Sequence, residues 1–212
     1  MGGNFNALLS KGVSCTVKIF LSLVLAFLCS LQVGFASPGN MSTRHNALGR
    51  TPAFRESPEL RPRVNFWIDV FTKHGEKSMV FHHRDYPQVI FYVLDLTNES
   101  LSLSPKRFAA LKKSKEKYHL NAIKTALNKL STGAKPSTHL EQVIAREMKI
   151  VPGGRTKYSK TVKDKLVRAQ TGIKEKFESA IIRSGRYMPV IEKIFAEYDL
   201  PIELTRLPFV ES

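Results

Sequence analysis

His82, His83 and Asp85 stand close enough together to suggest a cation site, since imidazole nitrogen and carboxylate oxygen are both common metal ligands. Their setting argues against it. Ser78-Met79-Val80-Phe81-His82-His83 is β-prone, and successive residues of a strand point to opposite faces, so the two imidazoles would not converge on one ion. The expectation for them is a structural or exposed role. The six histidines include no His-Glu-x-x-His spacing, so that zinc signature is missing too. No Gly-x-Ser-x-Gly elbow, phosphate-binding loop or Gly-x-Gly-x-x-Gly occurs, which leaves serine-hydrolase and nucleotide chemistry without support. No cofactor is implied. The two cysteines, Cys15 and Cys29, lie near the N-terminus in a segment read below as removed, so the remaining chain has no thiol for a disulfide, a zinc site or a nucleophile.

The elements around these residues follow from periodicity and punctuation. Val64, Trp67, Ile68 and Phe71 form one stripe of a short helix that Gly75 can end. Residues 78–97 read as a β-hairpin turning at Arg84-Asp85-Tyr86-Pro87; the second run, Val89 to Leu94, is apolar at consecutive positions and so should be covered on both faces or be a helix instead. Ser104-Pro105 opens a long basic helix that closes at Ser131-Thr132-Gly133. Ser137 or Thr138 with Glu141 opens another, stopped by Val151-Pro152-Gly153-Gly154. From Ser159, Val162, Leu166, Ala169, Ile173, Phe177, Ala180 and Ile181 keep helical spacing to Ser184-Gly185. Tyr187, Ile191, Ile194, Phe195 and Tyr198 form the face of a last short helix, beyond which Leu200-Pro201 opens a turn and Pro208 must interrupt any continuing helix. The fold class is mainly α.

The chain has 212 residues, 42% hydrophobic and 24% charged, a globular mixture that excludes wholesale disorder and a polytopic membrane protein. Its net charge is +15. Lys11 and Lys18, the apolar run Ile19 to Leu31 and Gly34-Phe35-Ala36 before Ser37 make residues 1–36 a secretory signal peptide; the alternative is a retained anchor. A lipoprotein reading is weaker, because bulky Phe27 and Leu28 precede Cys29. Residues 37–62 read as a flexible leader and 63–158 as an N-terminal helical region with the hairpin. The expected location is the periplasm or cell envelope. For an exported basic protein without a recognition module, nucleic acid is not the expected partner, and anionic envelope polymers or membrane surfaces fit better. Any single basic run, such as Lys112 to Lys117, is also accounted for by a solvated face.

Arg183-Ser184-Gly185-Arg186-Tyr187-Met188-Pro189-Val190-Ile191 and Leu200-Pro201-Ile202-Glu203-Leu204-Thr205-Arg206-Leu207-Pro208-Phe209-Val210-Glu211-Ser212 resemble the opening of the catalytic domain of lytic murein transglycosylases, in particular the membrane-bound lytic murein transglycosylase D group. The likeness spans roughly residues 168–212, and residues 159–212 are read as the start of that domain. It implies a lysozyme-like α domain that cleaves peptidoglycan glycan strands between N-acetylmuramic acid and N-acetylglucosamine. It also implies that Glu211 is the single catalytic acid and base. Glu203 competes for that role but reads as a surface or capping carboxylate. The family's sugar-cleft segments would follow Ser212, so the sequence reads as an N-terminal fragment, inactive as it stands. The reading from a different class is a basic, non-enzymatic helical module that binds envelope polymer or a protein partner.

Overall fold

The structure, a computed structural model, describes residues 57–211, excepting the side chains of residues 210 and 211. Residues 1–36, expected to be a signal peptide, and residues 37–56 of the expected leader lie outside the described residues; Arg61 and Pro62, read as leader, already belong to the first helix. The described chain is mainly helical with a small antiparallel sheet. It divides into two compact units, one formed by residues 68–178 and one that contains the described residues 57–67 and 179–211.

In the first unit, β1 (Ser78–His83) pairs antiparallel with β2 (Ile90–Asp95), as the hairpin pattern predicts, with Phe81 opposite Tyr92 and a bulge between Phe81 and His82. The strand order is β2-β1-β3, so β1 is central and all six of its residues are buried. The expectation that β2 is covered on both faces is overturned: Tyr92 and Val93 are 38% and 41% exposed. As an edge strand β2 has one neighbour only, and the doubly covered strand is the one that carries two histidines.

The third strand corrects the sequence reading more deeply. A continuous helix is not formed over 159–184. Instead α5 (Thr156–Lys163) stops, β3 (Val167–Thr171) pairs antiparallel with β1, and α6 (Lys174–Ser184) follows. Lys165 takes a left-handed φ of 52°, and the Leu166 N–H reaches back to the Thr161 carbonyl at 2.9 Å, the bond that closes a helix end. Val167-Arg168-Ala169-Gln170-Thr171 also alternates with period two, and pairing it with β1 satisfies a row of buried backbone groups that a helix would leave open. Just beyond β3, a Cβ on Gly172 would collide with the His74 carbonyl oxygen, so only glycine fits there.

The helices behave closer to expectation. α1 (Arg61–Thr72) precedes β1, and Asp95 receives both the N–H and the hydroxyl of Thr97, at 2.9 and 2.6 Å, as the chain enters the short α2 (Thr97–Ser102). α3 (Pro105–Ser131) begins on its proline and ends at Gly133, whose φ is 88°. α4 (His139–Glu147) opens with a capping box in which Thr138 and Glu141 exchange hydrogen bonds, and Lys129 donates to both oxygens of Glu141 at 2.8 Å. These partners, the Lys129 ammonium foremost, hold the Glu141 carboxyl down at about 2. A 3-10 turn (Met148–Ile150) then leads to Gly153 and Gly154, both with positive φ. One core joins these pieces: Phe81, Phe91 and Leu94 of the sheet with Ile123 and Leu127 of α3, Ile144 of α4 and Met148.

In the second unit, α7 (Met188–Glu197) ends with Asp199 at φ 51° and the Leu200 N–H bonded to the Phe195 carbonyl at 2.9 Å. A 3-10 helix (Ile202–Arg206) and the short α8 (Pro208–Glu211) complete the described chain.

Candidate functional site

The terminal segment is built from interruptions. Pro201 cannot extend α7, and the Leu204 N–H closes a turn on its carbonyl at 3.1 Å. Pro208 ends the 3-10 helix and opens α8, because its fixed φ suits a first helical turn and its missing N–H costs nothing there. Glu211 is the last residue of α8, and its side chain lies outside the described residues.

Glu203 is not the surface carboxylate expected of it. Its exposure is 2%, and Thr205 beside it is buried as well, its hydroxyl donating to the Ile202 carbonyl at 2.6 Å. Arg206, which spacing alone would offer to Glu203, pairs with Glu192 of α7 instead, an Nη1 to Oε1 contact of 2.5 Å between half-buried side chains. The short helix is thereby tied to α7. A carboxylate spaced like a surface residue, lying between two prolines, gives no sign in sequence of its depth.

The histidines are placed elsewhere, in the residue 68–178 unit. His82 donates through Nδ1 to the His83 carbonyl at 3.1 Å, and burial pushes its ring down to about 4. His83 accepts the Asp85 and Tyr86 N–H groups on its own Nδ1, at 3.1 and 3.3 Å, so that ring caps the hairpin turn; burial lowers it too. Its Nε2 is buried with no hydrogen-bond partner among the described residues. Asp85 binds Arg84 at 2.8 Å. These roles are structural, and among the described residues no group of three His, Cys, Asp or Glu side chains is placed to hold a metal ion.

Sequence reasoning missed an aromatic cluster on the same unit. The rings of Tyr92 and His119 stack at 4.3 Å and 17°, with Phe81 behind them and Tyr118 edge-on to His119 at 5.1 Å. No pattern along the chain joins a strand residue to a helix residue in this way. The basic run divides by position. Lys112 donates to the Glu76 carbonyl at 2.8 Å, whereas Lys113, Lys115 and Lys117 are exposed. Among the described residues no helix is long and apolar enough to cross a membrane.

No protein-family model matches the chain, and no curated protein and no solved structure matches it.

Proposed function

We propose that this chain belongs to an exported lytic transglycosylase that cleaves the glycan strand of peptidoglycan, with Glu211 as its proton shuttle. One observation carries the reading: the segment Leu200 to Ser212, in which two Leu-Pro pairs space a Glu-Leu and a Val-Glu-Ser as they are spaced in that family. The fold of the segment supports it. The second proline begins the short helix on whose last turn Glu211 sits, and the ion pair between Arg206 and Glu192 holds the preceding turn against α7.

The chemistry needs one carboxyl group where ordinary glycosidases need two. Glu211, protonated, gives its proton to the glycosidic oxygen as the bond to the muramic acid anomeric carbon breaks. The muramic acid 6-hydroxyl then attacks that carbon, and Glu211 takes the hydroxyl proton, which closes a 1,6-anhydro ring and restores the acid. No water is consumed. Such a group works best with its pKa raised toward the operating pH.

The test uses the product of the whole gene and purified sacculi. The soluble products should be 1,6-anhydromuropeptides, one water lighter by mass than hydrolytic fragments. Glu211→Gln keeps the shape but carries no exchangeable acid proton, and the rate should fall by about 10² to 10⁴. Glu203→Gln should keep the anhydro product. Products with reducing ends, or parental rates in Glu211→Gln, would overturn the reaction or the residue respectively.

A further inference from the structure

Six of the seven lysines of α3 fall into two groups, and the seventh, Lys115, is exposed about 180° round the helix from Lys106. Lys112 and Lys129 have partners, the Glu76 carbonyl and the Glu141 carboxylate. Lys106, Lys113, Lys117 and Lys124 have no ion-pair partner among the described residues; the first three are exposed and Lys124 is half-buried. Their spacing is i, i+7, i+11 and i+18, which at 3.6 residues per turn places them within about 40° of one line along the helix. At about 1.5 Å per residue the gaps are about 10, 6 and 10 Å, and the row is about 27 Å long. Ala110, Ser114 and Asn121, all exposed, lie beside the row and leave the ammonium groups standing clear. The one acid of the helix, Glu116, is half-buried on the opposite flank of the row, three residues from Lys113. Lys113 and Lys117 are like charges one turn apart, which costs the helix stability instead of adding to it.

We infer that this row is a docking surface for peptidoglycan, taking the free carboxylates of its stem peptides; the inference deepens the substrate proposed above and rests on it. The spacing favours that polymer. Duplex DNA presents a charge about every 1.7 Å of axis, far denser than this row, whereas stem peptides recur no more often than once per two sugar rings. The residues are lysines throughout, point charges without the fork that grips phosphate in two places. The row has no ring on which a nucleobase could stack, since Tyr118 lies about 100° round the helix from Lys117. An anionic lipid surface would hold these lysines by charge alone, without the apolar insertion that anchors a surface helix, because the apolar face of α3, with Ile123, Leu127 and Leu130, is buried in the core.

The experiment is sedimentation of the whole gene product, with Glu211→Gln to block digestion, on purified sacculi at low and raised salt. K106Q/K113Q/K117Q/K124Q should weaken retention by about tenfold, as four exposed ion pairs of a few tenths of a kcal/mol each allow. K135Q/K149Q/K160Q/K163Q, which removes the same charge from other exposed positions, should weaken it by less than about twofold. Sacculi whose carboxylates have been amidated should hold the parent no better than untreated sacculi hold the row variant. Circular dichroism melts confirm that both variants fold. Equal retention of the two variants would overturn the inference, and so would a larger effect of the row on duplex DNA or on phosphatidylglycerol vesicles than on sacculi. Binding and cleavage are read apart. Row-dependent binding with no anhydro product sinks the cleavage chemistry and keeps the docking surface; anhydro product with row-independent binding does the reverse.

Discussion

The unit of residues 68–178 and the segment of residues 179–211 bury opposite kinds of side chain. In the first, Phe81, Ile123, Leu127, Ile144 and Met148 are fully buried, and helices and sheet share one apolar core. In the second, α7 has no buried residue, while Tyr187, Val190, Ile194 and Tyr198 are exposed and, among the described residues, Glu203 and Thr205 are the buried ones. Packing accounts for the sequence of the first region. It does not account for the second, whose most distinctive residues are prolines and carboxylates that contribute little apolar area. The difference separates a unit held by apolar volume from a segment whose described buried side chains are polar.

The widest test of that contrast is a core truncation. Phe81→Ala should cost about 3 to 5 kcal/mol of unfolding free energy, because a fully buried ring leaves a cavity. Urea denaturation measures it, and a cost below about 1 kcal/mol would break the comparison at its stronger end.

Next comes the pH response of the central strand. His82 titrates near 4 in the folded chain and near 6.5 when exposed, so above pH 6.5 both states are neutral and nothing is lost. As pH falls from 6.5 to 4 the unfolded chain takes up a proton that the folded chain refuses. Stability should drop by about 3 kcal/mol over that window, with His83 adding in the same direction. Glu141 acts lower: its stabilisation is full above pH 4.5 and is lost as pH falls toward about 2. Denaturation midpoints between pH 7 and 4.5 therefore isolate the histidines. His82→Gln should flatten most of the slope, and an unchanged slope would place the titrating group elsewhere.

The smallest effect belongs to the terminal segment. Ile194→Ser, on the exposed side of α7, should move unfolding free energy by no more than about 0.5 kcal/mol. A loss as large as that of Phe81→Ala would show that α7 packs against more than its exposure reveals, and the contrast between the regions would vanish.

Local signals were legible where a residue acts through its own backbone. Ser104-Pro105, the Thr138–Glu141 box, Gly133 and Pro208 punctuate the chain where periodicity places them. The failures share one cause, which is pairing at long range. Within 159–184, which keeps a helical period, Val167 to Thr171 satisfies an alternating one as well, and only the open edge of β1 decides for the strand. Val89 to Leu94 looks more central than Ser78 to His83, yet the strand with two partners carries the histidines because their rings find backbone groups to bind. In the candidate site, the break at Pro208 follows from the sequence. The depth of Glu203 does not, since it depends on how the 3-10 helix packs and not on spacing along the chain.

The strand order also governs the sequence of assembly. β1 meets β2 across the short connection of residues 84–89, a contact of low loop entropy, whereas His83 meets Val167 only after residues 84–166 have been made and arranged. Until then the far edge of β1 is an unpaired ladder of N–H and C=O groups open to any other strand. The left-handed turn at Lys165, which halts α5 and aims the chain back at β1, is thus also the step that closes a route to aggregation.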